Sequence, residues 1–444
     1  LNQPEIKTSQ LPSPMAKRIL NAVEANFPEL LQRAQGAIRI NSINPDHDEG
    51  KLKDAKNGES KVSNYLAEYM RHAGMDVDIF SAKSQRENAV GVCNCGDGPS
   101  ILFNGHVDVV GVGDKSRWKM AQPFEAKIID GKLYGRGSSD MKAGIVCAIA
   151  AIKAIKDAGL KLGGKVLVEA VCGEENMDTE AGTGACIERG YRADAGICVE
   201  PSGPPYSLAI EPASPGALTF EIWIKGKAGH TCMRDEICRA GGKGDFFGAS
   251  AMDKAVFIYE GMRRLEDKWG FTKVHPVFTR PGHFTINPGS FYAGPTPFSI
   301  TEEACLTYTA WYAPQESADD VKKEIVEYIT KWCATDNWLC QNPPVFKWLI
   351  CWPPYNVSVD APICKAINNA FSMALNRQAL SYGFAAVSDA SFLNLAGIPT
   401  VIMGPGDLCV AHGPDEFVFV DELKEAAKIY ALTIALWCGV KYLD

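Results

Sequence analysis

At 444 residues the chain is too long for one comfortable core, so two domains are expected, one inserted in the other. Hydrophobic residues make up 46% and charged residues 22%; the net charge of -8, with no Lys/Arg-rich run, argues against a nucleic-acid partner. The longest apolar helical stretch, near Ile145–Ile155, is interrupted by Lys153 and is too short to span a bilayer, so no membrane partner is expected.

In chain order, Leu1–Pro14 is polar and reads as a tail. Pro14–Arg39 has helical spacing of apolar residues, and Ser63–Gly74 reads as an amphipathic helix stopped by its glycine. Short β-rich runs follow at Val77–Phe80, Ala89–Cys93 and Ile101–Phe103, the last leading directly into Asn104-Gly105-His106-Val107-Asp108. Met141–Ala158 reads as a helix. Lys165–Cys172 is a near-continuous apolar strand, as expected where both faces are buried, and Ala195–Val199 repeats that pattern before Glu200-Pro201. Alternating strands and helices predict an α/β fold with a mixed, largely parallel sheet flanked by helices.

The texture changes near Ser214. Leu218–Ile224 alternates apolar and polar residues, which suits a sheet with one wet face. Ala251–Lys268 reads as a helix, Cys305–Trp311 as a strand and Asp319–Cys333 as a helix. This predicts an inserted α+β domain over 214–314, splitting the main domain into 1–213 and 315–444. Pro362–Leu375 then reads as a helix and Pro399–Met403 as a short strand.

The fifteen cysteines form no C-x-x-C pair, only Cys93-x-Cys95, and most sit among apolar neighbours. An odd number in a large chain argues against a secreted disulfide framework, and no secretory leader pattern is visible. A reducing cytoplasm is the expected location.

The chemistry-bearing residues are widely spaced. His106 and Asp108 stand two apart on an extended segment, so both point the same way, and a carboxylate there can hold one ring nitrogen while the other binds metal. In Tyr134-Gly135-Arg136-Gly137-Ser138-Ser139-Asp140-Met141-Lys142, glycines place Asp140 beside a helix start, as a helix cap or as a carboxylate between two cations. No phosphate-binding glycine pattern is completed there. Glu174 and Glu175 end an apolar strand, Glu200 ends another, and His412 lies in Ala411-His412-Gly413-Pro414-Asp415-Glu416-Phe417. Taken singly, each fits a solvated turn or strand end. Together, two imidazoles and three carboxylates suit a pair of divalent metals, a known arrangement for activating water.

Five motifs in this order resemble the M20 family of metallopeptidases and deacylases, in the branch of acetylornithine deacetylase and succinyl-diaminopimelate desuccinylase, from about Leu30 to Leu432. The resemblance implies a phosphorylase/hydrolase-like catalytic domain and a lid domain that also forms a homodimer. It implies two divalent metals, usually zinc, with cobalt and manganese as alternatives. His106 and Glu200 would bind one and Glu175 and His412 the other, with Asp140 bridging. Asp108 would orient His106, and Glu174 would be the general base. His230, in Gly226-Lys227-Ala228-Gly229-His230-Thr231, would stabilise the oxyanion, and Asn287 would lie near the substrate.

The expected reaction is hydrolysis of the amide C–N bond of a small N-acylated amino acid or related amine. Two departures favour a different substrate from the family's usual amino acids. Trp311 stands where the family usually has an arginine three residues before a proline, here Pro314, and Ala385-Ala386-Val387 replaces a segment with Gly and Thr. Both positions often bind a substrate carboxylate in the family, a task that would fall here to Arg280 or Arg234. With the many aromatic residues of the lid, this points to an N-acyl or N-formyl aromatic or heterocyclic amine. The alternatives are hydrolytic deamination of such an amine, a small-peptide carboxypeptidase or dipeptidase, and a silent binding protein. The last is disfavoured because every ligand and the base are present.

Overall fold

The computed structural model describes residues 11–203, 207–294 and 297–443, and the chain divides into two units. Of the tail expected over Leu1–Pro14, residues 1–10 lie outside the described residues, and Ser13 already begins the helix Ser13–Arg39. Pro14 is tolerated in that first turn because its missing N–H would have had no helical partner.

The first unit is built on a six-stranded sheet in the order Asp76–Lys83, Arg86–Asn94, Gly164–Val171, Gly98–His106, Ala195–Cys198 and Thr400–Ile402. The last four strands in that order are mutually parallel, and the first two join antiparallel. The sheet is therefore mixed and largely parallel, as the alternating pattern predicts. Successive side chains point to opposite faces. Phe103 meets the ring of Tyr430 edge-on at 5.1 Å, on the helix Val420–Cys438. Its neighbour Leu102 faces the other way and packs with Leu167, Leu393 and Ile398. Helices thus cover both faces, which is why Gly164–Val171 is buried almost throughout.

The helix Lys142–Asp157 is buried on nearly all sides, because Ser13–Arg39, Val420–Cys438 and the sheet all pack on it. Its start closes directly on the sheet at Gly105. A Cβ there would fall 2.7 Å from Ile145 Cγ1 and 2.9 Å from Val199 Cγ2. The small residue before His106 therefore brings the Asp140 turn against the end of that strand.

The second unit is a four-stranded antiparallel sheet in the order Ile286–Ala293, Glu303–Tyr312, Gly216–Lys225 and Val345–Trp352. Leu218, Phe220, Ile222 and Ile224 point into a core with Ile258, Leu265 and Trp269 of the helix Ala251–Thr272. Thr219, Glu221 and Trp223 lie on the wetter face, matching the predicted alternation. This unit runs from Ser214 to Asn356 rather than ending at 314. Val345–Trp352 pairs with Gly216–Lys225, and Val321, Ile325 and Ile329 of the helix Ala318–Cys333 enter the same core. Ala385–Val387 also groups with this unit.

Of the acids on the first unit's sheet strands among the described residues, Glu169 is the buried one. Glu169 is 1% exposed and accepts a hydrogen bond from Asn104 Nδ2 at 2.9 Å. Burial pushes its carboxyl up to about 8. The folded chain therefore holds a proton that the unfolded chain releases near pH 4.5. The resulting stabilisation is full at low pH and is lost as pH rises through the folded value. Glu169→Gln removes this titration while keeping an acceptor for Asn104. In calorimetric melts at about pH 5 and about pH 8, the variant's melting temperature should fall less with rising pH than that of the wild type. Equal falls would refute this assignment.

Candidate active site

Because the four strands ending near the site are parallel, their C-terminal ends share one rim of the sheet, where such sheets place ligands. His106 ends Gly98–His106, Glu174 and Glu175 follow Gly164–Val171, and Glu200 follows Ala195–Cys198. Asp140 lies just before Lys142–Asp157, and His412 lies in the loop after Thr400–Ile402. The fold brings these six together within the first unit.

Asp140 is at the centre. Its Oδ1 lies 3.0 Å from His106 Nε2, and its Oδ2 lies 3.3 Å from His412 Nε2. His106 Nε2 is also 3.7 Å from Glu200 Oε1 and 4.0 Å from Glu174 Oε2. His412 Nε2 is 3.1 Å from Glu175 Oε2. Potential ligand atoms of His106, Asp140 and Glu175 lie within 4.8 Å of one another, as do those of His106, Glu174 and Glu200. One carboxylate therefore stands between two imidazoles, each with a further acid beside it.

The donor set fits divalent cations. All ion pairs made by Asp140, Glu174, Glu175 and Glu200 are to His106 or His412; no lysine or arginine among the described residues pairs with them. His106 is 2% exposed, Glu200 4% and Asp140 6%. Four largely buried carboxylates facing two imidazoles leave negative charge that protons or metal ions must offset. The titration directions reflect that crowding. Burial pushes the carboxyls of Glu174, Glu175 and Glu200 up, reinforced by neighbouring acids. Burial alone would raise Asp140 too, but hydrogen bonds from both histidines hold it below the usual carboxylate range. For His106, burial is outweighed by the hydrogen bond to Asp140 and the nearby acids, which hold the imidazole well above its ordinary value. His412, with an exposed ring, is raised by its bonds to Asp140 and Glu175.

Asp108 has a different partner from the one its spacing suggests. His106 Nδ1 meets the backbone carbonyl of Asp108 at 2.9 Å, while the Asp108 carboxylate lies 3.8 Å away. That contact leaves Nε2 facing Asp140. The carboxylate instead accepts the backbone N–H groups of Gly173 at 2.9 Å and Glu175 at 3.2 Å, and Asn44 Nδ2 at 2.7 Å. It holds the loop that carries Glu174 and Glu175. A second brace comes from Arg86, which pairs with buried Glu59 at 2.7 Å and with Asp178 at 2.9 Å on that same loop.

The other expected residues belong to the second unit. His230 is exposed, and its Nδ1 accepts the backbone N–H of Cys232 at 3.1 Å, which leaves the neutral ring's proton on Nε2. Arg234 is exposed and paired with Asp253, Arg280 is exposed, and Asn287 lies exposed on the strand Ile286–Ala293. Asn44, Arg136 and Glu416 were not singled out by sequence. Arg136 and Glu416 fall inside the two glycine-containing motifs, whereas nothing in the sequence around Asn44 marks it.

The model for peptidase family M20/M25/M40 matches residues 102–436. The chain belongs to this family. It is 34% identical to N-formyl-4-amino-5-aminomethyl-2-methylpyrimidine deformylase of Bacillus subtilis, over 94% of this chain and 97% of that protein. It is 25% identical to a probable succinyl-diaminopimelate desuccinylase of Staphylococcus epidermidis, over 86% of this chain and 95% of the relative. A crystal structure of aminopeptidase PepT from Bacillus cereus superposes with a TM-score of 0.71 at 18% identity, covering 93% of this chain and 98% of that one. The expected family, fold class and enzyme class are borne out: this is an M20 hydrolase of amide C–N bonds with a potential metal site.

The bracing role of Asp108 is testable. Asp108→Asn keeps the size but replaces one acceptor oxygen with an amide donor facing backbone N–H groups. Steady-state kinetics should show kcat reduced about 10–100-fold, the usual range for a residue behind a metal site. Wild-type kcat would show that the loop does not depend on this carboxylate.

Proposed function

We propose that this chain is a dinuclear-metal amidohydrolase that removes a formyl group from an aminomethyl-substituted heteroaromatic amine, a pyrimidine being the nearest chemistry. The observation that carries the dinuclear reading is the Asp140 carboxylate, with one oxygen on each of two imidazoles. The substrate reading is supported by the 34% identity to the pyrimidine deformylase along nearly the whole of both chains. Trp311 and Ala385–Val387, which depart from the family's carboxylate-binding pattern, agree with a substrate lacking an amino-acid carboxylate.

His106 and Glu200 would hold one cation and Glu175 and His412 the other, with Asp140 shared. Zinc suits this mixture of imidazole and carboxylate, with cobalt or manganese as alternatives. Such cations, when bound, lower the pKa of water and act as Lewis acids. Glu174, beside His106, serves as general base. It takes a proton from water as the water oxygen bonds to the formyl carbon. The C–N bond then breaks, the nitrogen takes the proton from Glu174, and formate and the free amine leave. His230 would donate its Nε2–H to the developing oxyanion. Asn287 would contact the substrate in this reading, and Arg234 or Arg280 would take a carboxylate where a substrate carries one.

A homodimer through the second unit is supported by the edge strand Ile286–Ala293, where Phe291 is 47% and Tyr292 57% exposed. A cytoplasmic location is supported by fifteen free thiols. No helix among the described residues is long and apolar enough to cross a membrane.

Glu174→Ala should reduce kcat by roughly 10²–10⁴-fold, the usual contribution of a positioned base. Its metal content, measured by elemental analysis, should match the wild type. Wild-type turnover in this variant would eliminate Glu174 as the base. Assayed with an N-formyl aminomethylpyrimidine, N-acetylornithine and N-succinyl-diaminopimelate, the enzyme should show its highest kcat/KM on the first, with formate as coproduct. A clear preference for either amino-acid substrate would overturn the substrate reading, and ammonia release would favour the deamination alternative.

A further inference from the structure

Four residues beyond His412, Glu416 is completely buried, and its carboxylate is bonded at both oxygens. Oε1 accepts the backbone N–H groups of Gly137 at 2.9 Å, Ser139 at 2.9 Å and Asp140 at 3.2 Å. Oε2 accepts Arg136 Nη1 at 2.6 Å. Arg136, 1% exposed, uses Nη2 to reach the carbonyl oxygens of His412 at 3.0 Å and Gly111 at 3.2 Å.

Converging backbone amides form an anion-binding concavity. Here the anion is supplied by the loop that carries the other histidine. The two segments are thus tied in both directions. Glu416 grips the amide of Asp140 itself, and Arg136 grips the carbonyl of His412 itself. Strand pairing of Phe417 with Tyr134 continues the tie. His412 has φ 61, the left-handed region that a residue with a side chain seldom adopts unless its surroundings impose it. The hydrogen bond to its carbonyl is one such constraint. Glu416 bonds to no side chain of the candidate ligand set, so its effect on that set passes through the backbone it holds.

We propose that Glu416, together with Arg136, is a positioning residue that presets the separation of Asp140 and His412 and so prepares the second cation site before metal arrives. This rests on the dinuclear reading above. A merely structural ion pair would stabilise the fold and leave metal affinity alone, whereas a positioning pair sets metal affinity in the folded protein.

The test is calorimetric titration of zinc into the full-length, chelator-stripped protein, comparing wild type, Glu416→Gln and Arg136→Lys. The glutamine retains a single carbonyl acceptor, and the lysine retains charge without the planar fork. The wild type should take up two equivalents. In both variants one of the two should bind about 10–100-fold more weakly, the range typical of residues behind a metal site. At saturating zinc, kcat should fall while KM changes little. Melting of the stripped proteins reports any structural effect separately, and Arg136→Lys decides the matter if Glu416→Gln fails to fold. Two equivalents bound by the wild type, with unchanged affinities in the folded variants, would overturn this inference alone. A wild type that binds only one would overturn the dinuclear reading and this inference with it.

Discussion

The constraint on which the site depends is an excess of buried negative charge. Among the described residues, the ion pairs of Asp140, Glu174, Glu175 and Glu200 are all to His106 or His412. Left unneutralised in a low-dielectric setting, such a cluster would drive its own members to take up protons, and burial does push three of the four carboxyls that way. The exception is Asp140, whose two oxygens each receive an imidazole. It is the member that stays ionised most readily, which is what a carboxylate shared between two cations requires. The same crowding raises the affinity of Glu174 for protons, which suits its proposed role as a base that accepts one and returns it.

Charges of one sign do not collect unaided, and the surrounding structure shows what restrains them. Three pieces of chain carrying candidate ligands are each gripped by a buried charged group from elsewhere. The Glu174–Glu175 loop is held by Asp108 and, through Asp178, by Arg86. The Asp140 turn is held by Glu416 and the His412 loop by Arg136. These braces bond mainly to backbone amides and carbonyls, so they fix where the ligand side chains start without competing for their oxygens. A parallel sheet supplies the rest, since four strands ending at one rim bring the loops into reach at no further cost in ordering.

Local pattern was enough for much of this. The apolar run Lys165–Cys172 reads as a doubly covered strand because both of its faces are in fact packed. The alternation from Leu218 to Ile224 likewise matches a sheet with one core face. Non-local pairing was not legible. Val345–Trp352 has mixed exposure and no clean period, and it becomes a strand by adding to Gly216–Lys225, so the second unit extends to Asn356. In the site, the six clustered residues could be found because metal-type side chains stood at strand exits. The braces could not. The spacing of Asp108 from His106 suggests a carboxylate on the ring, yet the ring meets its carbonyl and the carboxylate turns toward Gly173. Arg136 and Glu416 meet across 280 positions, a distance at which no spacing rule operates.

The acid and histidine cluster is indifferent to what lies on either side of the amide, so substrate choice must rest on groups that touch the remainder of the molecule. A carboxylate entering a cleft must exchange its water for fixed donors, and a site without a guanidinium at the usual place gives it little in return. By the family resemblance, Trp311 stands where that guanidinium is usual, and Ala385–Val387 replaces a segment with Gly and Thr. A flat, weakly polar ring loses less water on entry and gains from contact with apolar surface. On these terms the proposed substrate, a heteroaromatic amine, suits these positions better than an amino acid would.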